Sequence, residues 1–280
     1  MSKITVIIPT YNEEKAVIAC LESLRDQNLK DFEVIIVDDG STDNTLAIIK
    51  GLGIESYDLK VLKQEHKGPG AARNLAAKKA NGDILVFVDA DMTFDKNFLR
   101  MLIKPITSGK TKGTFSKYEY VANWNNVWAR CWNINEGWES KRRHPKNYPN
   151  KQPVFRAILK NEFLRVGGFT PGGYNDDWSL AKKLGYEAVS APGAIFYHQN
   201  PGSLHESFFH AKWVGKRPYK LGIFGALIAL LRSFFLISIV VGAAKAIFYK
   251  TPLFLPFKIL YDVGISIGII GILLSHNMAK

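Results

Sequence analysis

Asp38-Asp39 and Asp89-Ala90-Asp91 each place carboxylates directly after a short apolar run, Glu33–Val37 and Ile84–Val88. Carboxylates that converge in a crevice repel one another unless a cation lies between them. Carboxylate oxygens with room left for water suit Mg²⁺ or Mn²⁺, and such an ion in turn holds phosphate oxygens. Alternation along an extended strand points Asp89 and Asp91 the same way. A lone Asp-x-Asp is common; its place at one run's end, with a second acidic pair ending another, gives it weight. The first turn, Pro9-Thr10-Tyr11-Asn12-Glu13-Glu14, has no G-x-G-x-x-G, and no G-x-x-x-x-G-K-[ST] occurs anywhere, which argues against a dehydrogenase and a P-loop enzyme.

Positioning these residues requires strands that end together. Four Val- and Ile-rich runs, Ile4–Pro9, Glu33–Val37, Lys60–Leu62 and Ile84–Val88, alternate with helical patterns. Ser41-Thr42 offers an N-cap before Leu46, Ile48 and Ile49, and Gly68-Pro69-Gly70 opens a helix through Arg73–Ala80. The alternation predicts an α/β fold with a parallel sheet covered on both faces. Ligands of such sheets bind outside the carboxyl ends of the strands, where these acids lie. A helix is expected at 94–104. Trp124, Trp128 and Trp132 fall on one helical face, for core packing or for a membrane interface.

The 280 residues carry a net charge of +12, which suits phosphorylated small molecules or acidic lipid headgroups. No groove-reading or base-stacking module appears, so nucleic acid is not an expected partner. Basic residues gather at Lys141-Arg142-Arg143-His144 and again at Lys212, Lys216, Arg217 and Lys220, just before a strongly apolar third. There an interfacial helix is expected up to Arg232, a span to about Tyr249, a turn at Lys250-Thr251-Pro252 and a second helix to about Ser275, with Gly264 and Gly268 as a packing face. A helical hairpin within a soluble oligomer is the alternative. Cys20 and Cys131 form no C-x-x-C, and neither a disulfide framework nor a cysteine metal site is indicated. No signal-peptide stretch precedes Ile4, so the soluble part is expected on the cytoplasmic side of the membrane.

Ile7–Glu14, Val37–Asp43, Gly70-Ala71-Ala72-Arg73-Asn74 and Asp89-Ala90-Asp91 together resemble the ordered motifs of family 2 glycosyltransferases over roughly the first 200 residues. The resemblance implies a GT-A fold, a Rossmann-like nucleotide-diphospho-sugar transferase sheet, and inversion at the anomeric carbon. It assigns Pro9, Tyr11 and Glu13 to the base and ribose pocket, one of Asp38 and Asp39 to the base or ribose, and Arg73 to the neighbourhood of the donor. Asp91 would be the main ligand of a divalent Mn or Mg ion. Asp89 would serve the sugar or ribose hydroxyls and be a further ligand of that ion, and His198 would complete the metal site. Asp177 aligns with the general base, and Asp176 replaces the usual Glu; the plain alternative for both is favourable charge at a helix N-terminus. The first 100 residues are also similar to dolichyl-phosphate mannose synthases. Phe209-His210-Ala211-Lys212-Trp213 departs from the Q-x-x-R-W of polysaccharide synthases, which argues against processive synthesis.

The expected arrangement is a catalytic domain at 1–212, a juxtamembrane segment at 213–232 and a transmembrane hairpin at 233–280. The expected donor is GDP-mannose, with a UDP-hexose next. A phosphate monoester is already ionised at neutral pH and needs no base. A base at Asp177 therefore favours a hydroxyl acceptor, such as a glycolipid, over a polyprenyl phosphate. Two other classes fit part of the pattern. Asp89–Thr93 reads as the D-x-D-x-T of haloacid-dehalogenase-type phosphatases, though that motif ends a first strand, and a non-catalytic sugar-nucleotide-binding membrane protein needs no base at all.

Overall fold

The computed structural model describes residues 3–52, 58–171 and 176–275. In chain order come β1 (Ile4–Thr10), α1 (Val17–Arg25), β2 (Phe32–Asp38), α2 (Thr45–Gly51), β3 (Asp58–Lys63), α3 (Pro69–Lys79) and β4 (Ile84–Phe87). Shorter elements follow: β5 (Met92–Phe94), α4 (Phe98–Thr107), β6 (Gly113–Phe115), β7 (Glu119–Val121), α5 (Val127–Glu136), β8 (Lys151–Gln152) and β9 (Ala157–Leu159). Then come α6 (Lys160–Arg165), α7 (Asp176–Leu184), β10 (Ala188–Ser190) and β11 (Phe196–His198). The last described elements are α8 (Leu204–Gly215), α9 (Gly222–Arg232), α10 (Phe235–Phe248) and α11 (Phe254–Ser275).

The chain forms two compact units, 1–120 with 147–198, and 121–146 with 199–280. In the first, an eight-stranded sheet runs β3-β2-β1-β4-β9-β6-β10-β8. β3, β2, β1 and β4 are parallel, as the alternating runs predict. β9 then lies antiparallel to both β4 and β6, and β8 antiparallel to β10, so the far half is mixed rather than parallel. Strand alternation divides the core. Ile4, Val6, Ile8, Val34, Ile36 and Val86 meet α1 and α4 on one face, while Ile7, Ile35, Val37, Leu85 and Phe87 meet α3, α6 and α7 on the other. The helix expected at 94–104 begins only at Phe98, because Met92–Phe94 pairs with β11 in a small second sheet, β5-β11-β7. α3 starts at Pro69 after Gly68, whose φ of 87° only glycine adopts readily.

In the second unit, the three-indole face is not formed: Trp124 precedes α5, and Trp132 is core, 5.3 Å from Tyr261 and 4.9 Å from His210. The small-residue stripe on α11 meets α8. A Cβ on Gly264 would lie 2.7 Å from the Phe208 carbonyl, and one on Gly268 would strike that of Lys212. Asp262 is buried on α11 and accepts from Ser238 Oγ at 2.6 Å on α10 and from Lys258 Nζ at 2.7 Å. α11 is long and apolar enough to cross a membrane. α9 and α10 pass that test only as a pair, bent by 62° at their break, so the expected two-span hairpin becomes one spanning-length helix and one bent pair. Residue 212, expected to end the catalytic domain, falls inside α8.

Candidate functional site

The parallel strands β1 and β2 end side by side, with Thr10 in register with Asp38, and β4 ends next to β1 at Phe87, in register with Ile7. The loops after them build the site in the first unit. β2 runs directly into Asp38-Asp39-Gly40. Asp39 is almost fully buried and its carboxylate is wholly occupied: it accepts from Gln64 Nε2 at 2.6 Å and from the backbone N–H of Lys67 and Gly68 at 2.9 Å each, and its Oδ2 lies 3.0 Å from His66 Nδ1. Asp39 therefore shapes the loop into α3. Among the described residues the Asp38 carboxylate accepts a single hydrogen bond, from Ser41 N–H at 3.3 Å. Of the two acids left open by the sequence, Asp38 has the carboxylate with capacity to spare.

The β1 loop folds against this rim. Asn12 takes a left-handed φ of 57°, accepts from Thr42 N–H at 2.8 Å, and its own N–H donates to Ser41 Oγ at 3.0 Å. Glu13 is held by its N–H to Thr45 Oγ1 at 2.7 Å. Tyr11 lies exposed, its ring 4.1 Å from that of His66, and Pro9 is half-buried at the end of β1. Burial, and then the charges of Asp91 and Asp89, push the Glu13 carboxyl up to about 7.

β4 ends at Phe87, and Met92 N–H bonds back to the Asp89 carbonyl at 3.2 Å, so the pleat does not set the directions of the two aspartates. They take different partners. Asp89 Oδ1 accepts from Arg73 at 2.7 Å and Oδ2 from Arg156 at 3.0 Å. Against burial, which raises it, Arg156 and then Arg73 hold the Asp89 carboxyl well below the usual range. Asp91 Oδ2 lies 2.7 Å from His198 Nε2 at the end of β11, and His198 Nδ1 lies 3.0 Å from Glu119 on β7. The structure thus brings Asp91 and His198 together as a hydrogen-bonded pair, while Asp89 accepts from two guanidinium groups. Among the described residues no group of three or more His, Cys, Asp or Glu is arranged to hold a metal.

Arg156 and Glu119 carry no motif in the sequence. Arg156 reaches Asp89 because β9 pairs antiparallel with β4, and Glu119 reaches His198 through the second sheet. Only the tertiary pairing reveals either. Arg73 is no surface residue: it is buried, with its guanidinium 5.6 Å from the Phe169 ring. Asp176 and Asp177 open α7, but their side chains, and Gly172–Asn175 before them, lie outside the described residues.

Comparison with known proteins bears on the family and the fold. The family model described as "Glycosyl transferase family 2" matches residues 5–167. Over 104 residues the chain is 43% identical to the poly(ribitol-phosphate) beta-N-acetylglucosaminyltransferase TarS of Staphylococcus aureus, covering 36% of this chain and 18% of that protein. A poly(ribitol-phosphate) beta-glucosyltransferase of Bacillus spizizenii is 38% identical over 122 residues, 40% of this chain and 19% of the relative. The chain therefore spans under a fifth of either relative's length. Among solved structures, the mannosyltransferase PcManGT of Pyrobaculum calidifontis, in complex with GDP-Man and Mn²⁺, superposes with a TM-score of 0.62 over 95% of this chain and 86% of that one. At 21% identity this likeness speaks to the fold alone.

Proposed function

The chain belongs to glycosyl transferase family 2, and from that premise we propose that it moves a hexose from a nucleoside-diphosphate sugar onto a hydroxyl acceptor held at a membrane. One observation carries the reading. At the carboxyl ends of parallel strands, an Asp–His pair (Asp91 and His198) lies beside a carboxylate, Asp89, clamped by two buried or nearly buried arginines.

These residues fit a divalent ion. Glu119 on Nδ1 orients the His198 ring with Nε2 toward Asp91, the usual support for a metal-binding imidazole. Burial first, and then the charges of Asp91 and Asp89, raise the Glu13 carboxyl, and a cation beside those acids would offset the smaller, charge part of that shift. Asp91 and His198 would hold a Mn or Mg ion, with donor phosphates and water filling its other positions. Such an ion, when bound, supplies charge neutralisation for the leaving diphosphate. Arg73 and Arg156 fix Asp89, so its remaining lone pairs are preset to accept from ribose or sugar hydroxyls. Asp38 is assigned to the base or ribose, with Pro9, Tyr11 and Glu13 lining the same pocket, while Asp39 holds their scaffold. Asp177 is assigned as the base that takes the acceptor's proton, with Asp176 beside it at the start of α7. We expect Asp177→Asn to lower transfer about a hundredfold or more while leaving donor affinity unchanged, measured by transfer assay and calorimetry in parallel; full transfer activity would remove the assignment.

The relatives named for N-acetylglucosamine and glucose transfer, of which TarS is solved in complex with UDP-GlcNAc, favour a UDP-hexose donor. GDP-mannose remains the second reading, because a neighbour holding it shares the fold along most of the chain. An acceptor at a membrane is supported by the length and apolar character of α11 and by the basic residues before α9, and the catalytic unit is assigned to the cytoplasmic face, where nucleotide sugars are made. A polyprenyl phosphate is the acceptor if Asp177 proves dispensable.

The deciding test is a screen of UDP-GlcNAc, UDP-glucose and GDP-mannose for binding, hydrolysis and transfer to membrane extracts, with Mn²⁺ and Mg²⁺. Asp91→Ala is expected to abolish metal-dependent turnover. Donor binding with no turnover on any extract indicates a non-catalytic binder. Phosphate release from simple phosphoesters indicates a phosphatase.

A further inference from the structure

We propose that the cleft between α9 and α11 binds one anionic phospholipid of the bilayer, with an acyl chain along the cleft and the headgroup phosphate on Arg217; this rests on the reading that this unit meets a membrane. The cleft measures about 250 Å³ and lies wholly within the second unit. It exists because α9 turns small side chains toward α11. Gly222 and Ala226, four residues apart on one helical face, leave a gap over Ile269, Ile272 and Leu273. Arg217 stands at its edge, exposed, with its guanidinium 5.6 Å from the Tyr219 ring and no carboxylate partner among the described residues.

Charge identifies the occupant. No Asp or Glu occurs between Glu206 and Asp262, whereas Lys212, Lys216, Arg217, Lys220, Arg232, Lys245, Lys250 and Lys258 all lie in that stretch. From Leu221 to Leu231 there is no charged residue at all, and Phe224, Leu227 and Leu231 are 71%, 51% and 66% exposed. The cleft is thus apolar along its length, with Arg217 at its mouth and no Asp or Glu in its lining. A molecule with hydrocarbon along its body and a phosphate at its head matches both properties. An isolated protein helix would match the apolar part and leave the cations bare.

The test uses the full chain in dodecyl maltoside, offered equimolar phosphatidylglycerol and phosphatidylcholine of identical acyl chains and read by native mass spectrometry. One phosphatidylglycerol is expected to be retained over phosphatidylcholine by about fivefold or more, the effect of one well-placed cation on an anionic headgroup. Arg217→Gln, at an exposed position, is expected to bring the two lipids to parity. Ala226→Phe, whose ring fills the cleft, is expected to lose both, with the thermal transition followed at Trp132, in the same unit, checking that each variant folds. Equal retention of the two lipids by the wild type, or an unchanged preference in Arg217→Gln, overturns the proposal. Flotation on vesicles separates the two readings: binding to both pure phosphatidylcholine and mixed vesicles, without headgroup preference, overturns the lipid site alone, and binding to neither overturns the membrane reading itself.

Discussion

At the scale of single residues, the site is organised by charge pairs that cross the chain. Asp89 is satisfied by Arg73, 16 positions away, and Arg156, 67 positions away, and Asp91 by His198, 107 positions away. Glu13 has its pKa raised instead, by burial first and then by the charges of Asp91 and Asp89. Its carboxyl takes up a proton at about 7 in the folded protein and at its ordinary 4.5 when unfolded. Between those values the folded state binds more protons. Its contribution to stability is therefore fully present below about 4.5 and is lost as pH rises through 7. The metal-free protein should show a melting temperature that falls between pH 5 and 8 more steeply than that of Glu13→Gln, by scanning fluorimetry, and Mn²⁺ should flatten the wild-type curve. Parallel curves for the two proteins would contradict the charge assignment.

At the scale of elements, two devices position groups that no local pattern marks. The antiparallel strand β9 interrupts a parallel sheet and carries Arg156 to the ends of the parallel strands. Close approach of α8 and α11 depends on glycines: Gly215 would place a Cβ 2.5 Å from the Ile265 carbonyl, and Gly264 one 2.7 Å from that of Phe208. The backbone itself occupies the space a side chain would need, so relief requires the helices to part. Gly264→Leu is expected to destabilise the second unit by about 2 kcal/mol or more, the cost of overpacking a tight interface. A local fluorescence probe on Trp132, which packs in this unit, would report it as a lowered transition; an unchanged transition would show that the helices separate freely.

At the scale of the whole molecule, the excess of positive charge and the exposed apolar helices belong to the same part of the chain. Large exposed side chains on α9 and α10, among them Phe224, Phe235, Val240, Ile247 and Phe248, form a surface that water does not favour. If α11 crosses a bilayer, the chain should remain in the membrane pellet after an alkaline carbonate wash; release into the supernatant would leave only a peripheral attachment.

The chain order of types alone determined the parallel half of the sheet, the helix after Gly68-Pro69, the three helical segments after Leu221 and the motifs around Asp38, Asp39, Asp89 and Asp91. These depend on periodicity and turn chemistry, which act over a few residues. Tertiary structure decided what each acid does. It assigned Asp39 to a loop and Asp89 to two arginines, joined Glu119 to His198, and turned the α11 glycines toward α8. Sequence could not show this, because a carboxylate's role is set by the charges folded against it, and those come from strands and helices distant along the chain.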